Sequence, residues 1–207
     1  MKHPIRKHTP KREKRTENYK NYTKYKTSLA SDFYDSCGYC GIHHMFFGHR
    51  DGFHIDHFAP KSKFPALECD YNNLIYSCPI CNKAKSDDWC SSDAKVCYLN
   101  GKGFINPRDS TYDDIFYRDT YGRICVSENH PNYSVGIYMH KRLKFSLKRH
   151  EVFWLFEYLN EILNKLKQHF DRMDDASLPI FWEIKKIISK LEIFRNKYYD
   201  ALKVLDK

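Results

Sequence analysis

Residues 54–87 contain the polar side chains that hydrolysis of a phosphodiester bond requires. They lie in three short segments, HIDH at residues 54–57, NNLI at residues 72–75 and CNKAKSD at residues 81–87. A neutral imidazole with an ordinary pKa near 6.5 suits a general base at neutral pH. A base contributes only about 10²–10⁴-fold to a rate, so a bound cation must supply much of the rest. Mg²⁺ accepts one carboxylate and one amide oxygen while keeping several waters, and Asp56 and Asn82 offer that pair.

Two C-x-x-C pairs, Cys37 with Cys40 and Cys78 with Cys81, flank the first two segments, and Cys81 begins the third. In a reducing compartment, four thiolates at this spacing predict a closed, tetrahedral structural zinc site. The alternative is one redox-active pair with a second pair by coincidence. Neither pair lies in the βαβ pattern that is typical of a thioredoxin, which favours zinc.

The elements that must position these residues are short. Residues 53–58 predict a strand, residues 71–76 a second strand, and residues 79–88 a short helix that begins at the second cysteine pair. Strand periodicity places His54 and Asp56 on one face and His57 on the other. Asp56 and His57 can therefore serve one site only if the strand ends or twists beyond them. The sequence leaves three roles open for His54: an additional metal ligand, a residue that contacts a ligand without binding the metal, or an ordinary strand histidine.

At these residues the chain resembles the HNH endonuclease family, whose core is the ββα-metal fold. The resemblance covers residues 37–88. It implies a single Mg²⁺ or Mn²⁺ held by Asp56 and Asn82, and water activation by His57 that leaves 5′-phosphate and 3′-hydroxyl ends. It also implies that Asn73 holds the loop and orients the base. The four cysteines match the zinc-containing variant of the family. Asn82 departs from the histidine of many members, although RNA-guided CRISPR nucleases have a similar Asn-x-x-Lys-Ser-Asp run.

The charge distribution predicts a polyanionic partner. The formal net charge is +9, and the first 26 residues carry ten Lys or Arg against two Glu. Nucleic acid is the favoured partner, and DNA is preferred only through the resemblance. Lys61, Lys63 and Lys85 are candidate phosphate contacts.

The fold class predicted for the whole chain is α+β. A stripe of apolar and aromatic side chains at helical spacing runs from Tyr19 to Phe33 and predicts an N-terminal helix. A β-hairpin is expected within residues 114–126, and a helical hairpin at the C-terminus. The predicted domains are a basic arm at residues 1–18, a zinc-braced HNH nuclease domain at residues 19–140, and a helical region at residues 141–207.

The flanks resemble, more softly, HNH subunits of bacterial antiphage systems such as the Septu type. The features that they share are the leading helix, the Phe-Ile-Asn-Pro step at residues 104–107 and the helical C-terminus. This resemblance implies an ATPase subunit as partner. A cytoplasmic location is expected, because the sequence has neither an apolar run that could span a membrane nor an apolar segment near its start.

Two other functions compete with that of a nuclease. One is a non-catalytic, zinc-dependent nucleic-acid-binding module, and the other is an assembly subunit that acts only with a partner. Asp56, His57 and Asn82 favour the nuclease, because a binding module has no need of a carboxylate for a hard cation beside an imidazole.

Overall fold

The computed structural model describes residues 2–11, 18–170, 172 and 179–205. Two compact units divide the chain, residues 1–147 and residues 148–207. The domain boundary expected from the sequence lies between residues 140 and 141, which fall inside a helix. No described helix combines the length and hydrophobicity that a bilayer crossing demands.

The first unit contains short strands and helices, and the second contains two long helices. The strands are β1 His3–Pro4, β2 His54–His57, β3 Leu74–Ser77, β4 Tyr98–Leu99, β5 Lys102–Gly103, β6 Phe116–Arg118 and β7 Ile124–Val126. The α-helices are α1 Lys26–Asp32, α2 His49–Gly52, α3 Pro79–Lys85, α4 Thr111–Ile115, α5 Tyr133–Arg142, α6 Lys148–Phe170 and α7 Pro179–Leu205. Single 3₁₀ turns span Tyr22–Tyr25, His44–Phe47, Pro65–Leu67 and Tyr71–Asn73.

The strands pair into three small antiparallel sheets, with the orders β1-β6-β7, β2-β3 and β4-β5. The hairpin of β6 and β7 lies where the sequence predicts it and turns at residues 119–122. Strands β2 and β3 pair with His54 opposite Ser77 and His57 opposite Leu74. Helix α3 follows β3 directly, so the predicted order of strand, loop, strand and helix is confirmed together with the α+β class.

The local signals for β3 and α3 are visible in the sequence. Leu74, Ile75 and Tyr76 are fully buried, as expected for a strand of continuous bulky residues. Cys78 is the N-cap of α3, and Pro79 occupies the first helical turn, where its missing N–H costs nothing. The second strand begins later than predicted because residues 71–73 form a 3₁₀ turn.

The N-terminal helix is shorter than the stripe suggests. It begins as a 3₁₀ turn and becomes α-helical only at Lys26. Tyr25, Leu29 and Phe33 are buried, so the inner part of the stripe belongs to the core. Tyr22 is only half-buried, and its ring faces His57.

The predicted basic arm of residues 1–18 is corrected in its first part. Strand β1 adds to the edge of β6, Ile5 is buried, and Arg6 forms a bidentate ion pair with Asp113. This segment packs against the fold because Ile5 becomes buried and β1 forms backbone hydrogen bonds with β6. Residues 12–17 of the arm lie outside the described residues.

A buried arginine joins three parts of the first unit. The Arg118 guanidinium donates hydrogen bonds to the carbonyl oxygens of Ile5 at 3.1 Å, Gly122 at 2.7 Å and Cys40 at 2.6 Å. These carbonyls belong to the N-terminal segment, the hairpin turn and the first cysteine pair. A full charge can stay buried here because carbonyl oxygens surround it.

In the second unit, α6 and α7 pack against each other. Phe170 stacks on Phe181 near the end of α6, and Lys167 pairs with Glu192 further along. Phe156 meets Tyr199, so contacts made later in α7 lie earlier in α6 and the helices are antiparallel. The C-terminal helical hairpin is therefore confirmed. Helix α5, which precedes it, was missed by the sequence analysis.

We expect Arg118→Met to lower the free energy of unfolding by about 3–5 kcal/mol, because buried carbonyl oxygens lose charged donors. The matched control is Arg123→Met in the same hairpin, whose side chain is 62 % exposed and pairs with Asp119. An exposed pair of this kind contributes under about 1 kcal/mol. Urea unfolding followed by circular dichroism measures both. Equal losses in the two variants would contradict the role given to Arg118.

Candidate active site

The four predicted zinc ligands converge in the structure. One sulfur each from Cys37, Cys40, Cys78 and Cys81 lies within 4.8 Å of the others, and all four residues are buried. The sulfurs of Cys40 and Cys78 are 3.8 Å apart. A Zn–S bond of about 2.3 Å and a tetrahedral angle give sulfur separations of about 3.8 Å, so the spacing fits zinc.

The cysteine site also has the polar environment that thiolates need. The backbone N–H of Cys81 donates to the sulfur of Cys78 at 3.4 Å. Burial and the neighbouring thiols raise the pKa of Cys78 and Cys81 well above the usual range. Four buried thiolates therefore need a compensating cation, and a closed set of four sulfurs leaves no open position for catalysis.

Two glycines shape the first cysteine pair in different ways. Gly41 has a φ of +73°, a left-handed conformation that closes the turn. Gly38 packs so closely that an added Cβ would lie 2.6 Å from the ring of Phe33. Its N–H donates to the carbonyl of Tyr76 on β3. The cysteine pair is thereby fastened to the strand that precedes α3.

Helix α3 covers one face of β2. Asn82 and Lys85 are three positions apart on the helix, and His54 and Asp56 are two positions apart on the strand, so each pair shares a face. Asn82 Nδ2 lies 3.0 Å from His54 Nδ1, and Lys85 Nζ lies 3.4 Å from Asp56 Oδ2. Of the two strand residues, His54 is exposed and Asp56 is only 5 % exposed.

Asp56 sits in a polar pocket inside the core. Tyr39 Oη donates to Asp56 Oδ2 at 2.5 Å, and the Lys85 ammonium lies on the same oxygen. Burial raises the pKa of Asp56, while Lys85 and Tyr39 act in the opposite direction. Burial and the adjacent carboxylate raise the pKa of Tyr39, so its hydroxyl stays protonated and donates.

The structure corrects the assignment of Lys85 to phosphate contact. Its side chain has no exposed surface, and Nζ donates to the backbone carbonyl of His57 at 3.0 Å while pairing with Asp56. A buried ammonium without such partners would be too costly to desolvate. Lys85 therefore holds the end of β2 from inside the protein.

His57 extends to the opposite face of β2, as the alternation predicts. Its Nε2 lies 2.9 Å from the carbonyl oxygen of Glu68, and the ring of Tyr22 packs edge-on at 4.7 Å. A carbonyl can only accept, so Nε2 carries the proton and Nδ1 keeps the lone pair of the neutral ring. Burial lowers the pKa of His57, which favours that neutral form.

Asn73 fastens the loop that carries the Glu68 carbonyl. Its Oδ1 accepts from the N–H of Ala59 at 2.8 Å, and its Nδ2 donates to the carbonyls of Ala59 at 2.9 Å and Leu67 at 3.2 Å. These bonds close both ends of the loop with one amide side chain. The contact of His57 with this loop therefore depends on Asn73.

The two remaining lysines lie on that loop, and both are exposed. Lys61 Nζ pairs with Glu68 at 2.8 Å and lies 4.5 Å from the ring centre of Tyr22. Glu68 therefore balances the charge of Lys61 at the edge of the His57 pocket. Lys63 lies at the turn before Phe64 and projects from the same loop.

Sequence reasoning missed three groups around the site: the Tyr39 hydroxyl, the Glu68 carbonyl and the Tyr22 ring. Tyr39 lies inside the first C-x-x-C pair, so its position beside a predicted metal site is a usable signal. A backbone carbonyl carries no signal in the side-chain sequence. The helical stripe predicts Tyr22 as a core residue, which hides its contact with His57.

The residues on the α3 face fit a hard dication of the Mg²⁺ type. Both described contacts of the Asp56 carboxylate go to Oδ2, which leaves Oδ1 for an ion. Asn82 directs its Nδ2 at the lone pair of His54, which leaves its amide oxygen for the same purpose. One carboxylate and one amide oxygen suit such an ion.

Residues 37–88 match a family model described as HNH endonuclease. The match spans both cysteine pairs, β2, β3 and α3, and it indicates a nuclease that acts on nucleic acid. No curated protein and no solved structure matches the chain.

We expect Cys81→Ser to abolish tight zinc binding at the four-cysteine site and to unfold the centre of the first unit. Binding at such sites contributes about 10–16 kcal/mol to folding. Cys125→Ser is the control, because this partly buried thiol lies on β7 outside the four-cysteine cluster, where its sulfur contacts Arg123 O at 3.6 Å and the side chain of Tyr117. Zinc content and thermal melting measure the outcome. Retention of zinc by Cys81→Ser would contradict the assignment.

Proposed function

We propose that this protein is a metal-dependent endonuclease that hydrolyses phosphodiester bonds of nucleic acid, with DNA as the preferred substrate. The observation that carries the proposal is the 2.9 Å contact between His57 Nε2 and the carbonyl oxygen of Glu68. Because a carbonyl oxygen accepts, Nε2 donates and Nδ1 is the basic nitrogen, and the lowered pKa of His57 favours the neutral ring.

The chain supplies the base and the framework that holds it. His57 Nδ1 takes a proton from water, and the Glu68 carbonyl stabilises the imidazolium that forms because it accepts from Nε2–H. Asn73 keeps the loop closed, so the carbonyl and the ring stay aligned during proton transfer. General-base catalysis of this kind supplies about 10²–10⁴-fold.

Asp56 and Asn82 would hold the divalent cation. When bound, that ion neutralises charge on the phosphate oxygens and on the leaving oxygen. His54 turns the Asn82 amide, and Lys85 with Tyr39 holds the Asp56 carboxylate. His54 is then a positioning residue, an option that the sequence left open.

Asp56 and His57 serve one site across the end of β2. The strand ends at His57, and the Lys85 ammonium clamps the last carbonyl of the strand. A phosphate group at this strand end can contact the Asp56 side and the His57 side together. Lys61 and Lys63 would contact neighbouring phosphates from the loop.

Participation in antiphage defence beside an ATPase subunit stays a prediction of the softer sequence resemblance. The non-catalytic alternatives, a nucleic-acid-binding module and an assembly subunit, retain the zinc site but assign no task to the His57 tautomer. They are distinguished from the nuclease by cleavage measurements.

We expect His57→Ala to lower Mg²⁺- or Mn²⁺-dependent DNA cleavage by about 10²–10⁴-fold while DNA affinity stays unchanged. His130→Ala is the control, because the Nδ1 of this histidine accepts from the backbone N–H of Asn132 in a turn outside the candidate active site. Gel assays of nicking and equilibrium binding measure both properties. Binding without cleavage in the wild-type protein, with or without metal, would support a binding module instead.

We expect Lys63→Gln to weaken DNA binding on all sequences alike. If Lys63 contacts a phosphate of duplex DNA, the slope of log affinity against log salt falls by about 0.9. Lys141→Gln removes the same charge from an exposed position on α5 and is the control. Identical slopes for the two variants would argue against phosphate contact by this loop.

A further inference from the structure

A second group of metal-ligating side chains lies outside the four-cysteine site and the candidate active site. One oxygen of Asp35 and one ring nitrogen each of His43 and His44 lie within 4.8 Å of one another. We propose that Asp35, His43 and His44 form a second transition-metal site, which takes Zn²⁺ or a similar borderline cation. The proposal is independent of the nuclease function.

The backbone builds this site around the first cysteine pair. Ser36 and His43 form an isolated antiparallel bridge, and the N–H of His44 donates to the carbonyl of Asp35 at 2.8 Å. The chain therefore leaves at Asp35, forms the turn with Cys37 and Cys40, and returns at His43. The backbone therefore holds Asp35 and His43, which are eight residues apart in sequence, side by side without any bound metal.

Backbone strain is concentrated at the same place. Tyr34 and Asp35 have φ angles of +51° and +55°, and His49, which faces His44, has a φ of +60°. Left-handed conformations are unfavourable for residues other than glycine. Such strain persists where the surroundings impose it, and here it directs the Asp35 carboxylate toward the two imidazoles.

The contacts of each ring define how it can bind a metal. His44 Nδ1 lies 3.0 Å from Tyr76 Oη and 3.6 Å from Asp35 Oδ1. A partner on one ring nitrogen orients the ring and leaves the other for an ion. His43 Nδ1 accepts a long bond, 3.2 Å, from the N–H of Met45, so a lone pair is present on this ring. Binding through that nitrogen would replace the Met45 bond.

The donor set selects the class of cation. Two imidazoles and one carboxylate suit Zn²⁺, Ni²⁺ or Co²⁺ better than Mg²⁺, which prefers oxygen ligands. Burial lowers the pKa of His43 and of His44, so both rings are neutral at pH 7 and able to bind.

The second site opens to solvent. Asp35 and His44 line an open pocket of about 500 Å³ together with His49 and Asp51. Water can therefore complete the coordination shell, unlike at the closed four-cysteine site. Arg50 lines the same pocket, and its positive charge opposes the binding of a cation. Asp51 also lines the pocket, and its carboxylate offsets the charge of Arg50. We therefore expect weaker binding here than at the cysteines, and exchange with free metal.

The test is zinc stoichiometry of the full-length protein, with the cysteine site intact. Wild type, Asp35→Asn and His44→Gln are dialysed against Zn²⁺, and bound zinc per chain is measured by elemental mass spectrometry. Each variant should lose about one equivalent relative to wild type. Asp35→Asn preserves shape and removes only the charge of a half-exposed side chain. Cobalt loaded at the cysteines reports, through its thiolate charge-transfer absorption, that each variant is folded.

Two further comparisons separate this site from zinc bound at other histidines and at the active site. His43→Gln is measured in the same way and should also lose about one equivalent of zinc. His130→Gln is its matched control, because both histidines accept from the backbone N–H two residues later. The control should keep the wild-type stoichiometry. Asp35→Asn is also made in an Asn82→Ala background, where the loss should recur if the zinc is not at the active site. Equal zinc in wild type and Asp35→Asn, or a loss confined to Asn82→Ala, would overturn the proposal.

Discussion

The convergence of four cysteine sulfurs is the constraint on which the rest of the first unit depends. Cys78 is both a member of this set and the N-cap of α3, so the cluster fixes where the helix begins. Three and six residues after Pro79, Asn82 and Lys85 then face β2. Tyr39 lies within the first cysteine pair, and its hydroxyl donates a hydrogen bond to the Asp56 carboxylate. The closed four-cysteine cluster, which has no open position for catalysis, thus places the residues on the α3 face of the candidate active site.

The buried pair of Asp56 and Lys85 divides the site into an inner and an outer part. Desolvating two charges is expensive, and their attraction compensates only when further hydrogen bonds satisfy both groups. The Tyr39 hydroxyl donates a hydrogen bond to the Asp56 carboxylate, and the Lys85 ammonium donates one to the backbone carbonyl of His57. The pair therefore contributes less to net stability than to specificity, because it fixes the end of β2 from the inside. His54 and Asn82 form the outer part, where an ion and a substrate can arrive.

The positive charge of the chain is less available to nucleic acid than its sum suggests. Arg6, Lys85, Arg108 and Arg118 are buried, and each bonds to carboxylates or carbonyls within the fold. The N-terminal residues, which the charge count assigned to a free arm, partly serve to complete a sheet. Arg6 is one of the cations of this segment, and its charge pairs with Asp113 inside the fold. Lys61 and Lys63 on the loop after β2 are exposed, and Lys61 lies over the ring of Tyr22 that packs on the candidate base.

The sequence by itself determined the ββα segment, because its signals are local: alternation in β2, continuous bulky residues in β3, and two cysteine pairs whose spacing favours a closed metal site. It also singled out Asp56, His57, Asn73 and Asn82 by type and order. Only the tertiary structure decided which side chains are buried and which groups they contact. Lys85 looks like any surface lysine in a one-dimensional pattern, and the Glu68 carbonyl has no letter of its own. The cluster of Asp35, His43 and His44 forms because the chain reverses direction between residues 36 and 43. Spacing along the sequence does not encode that proximity.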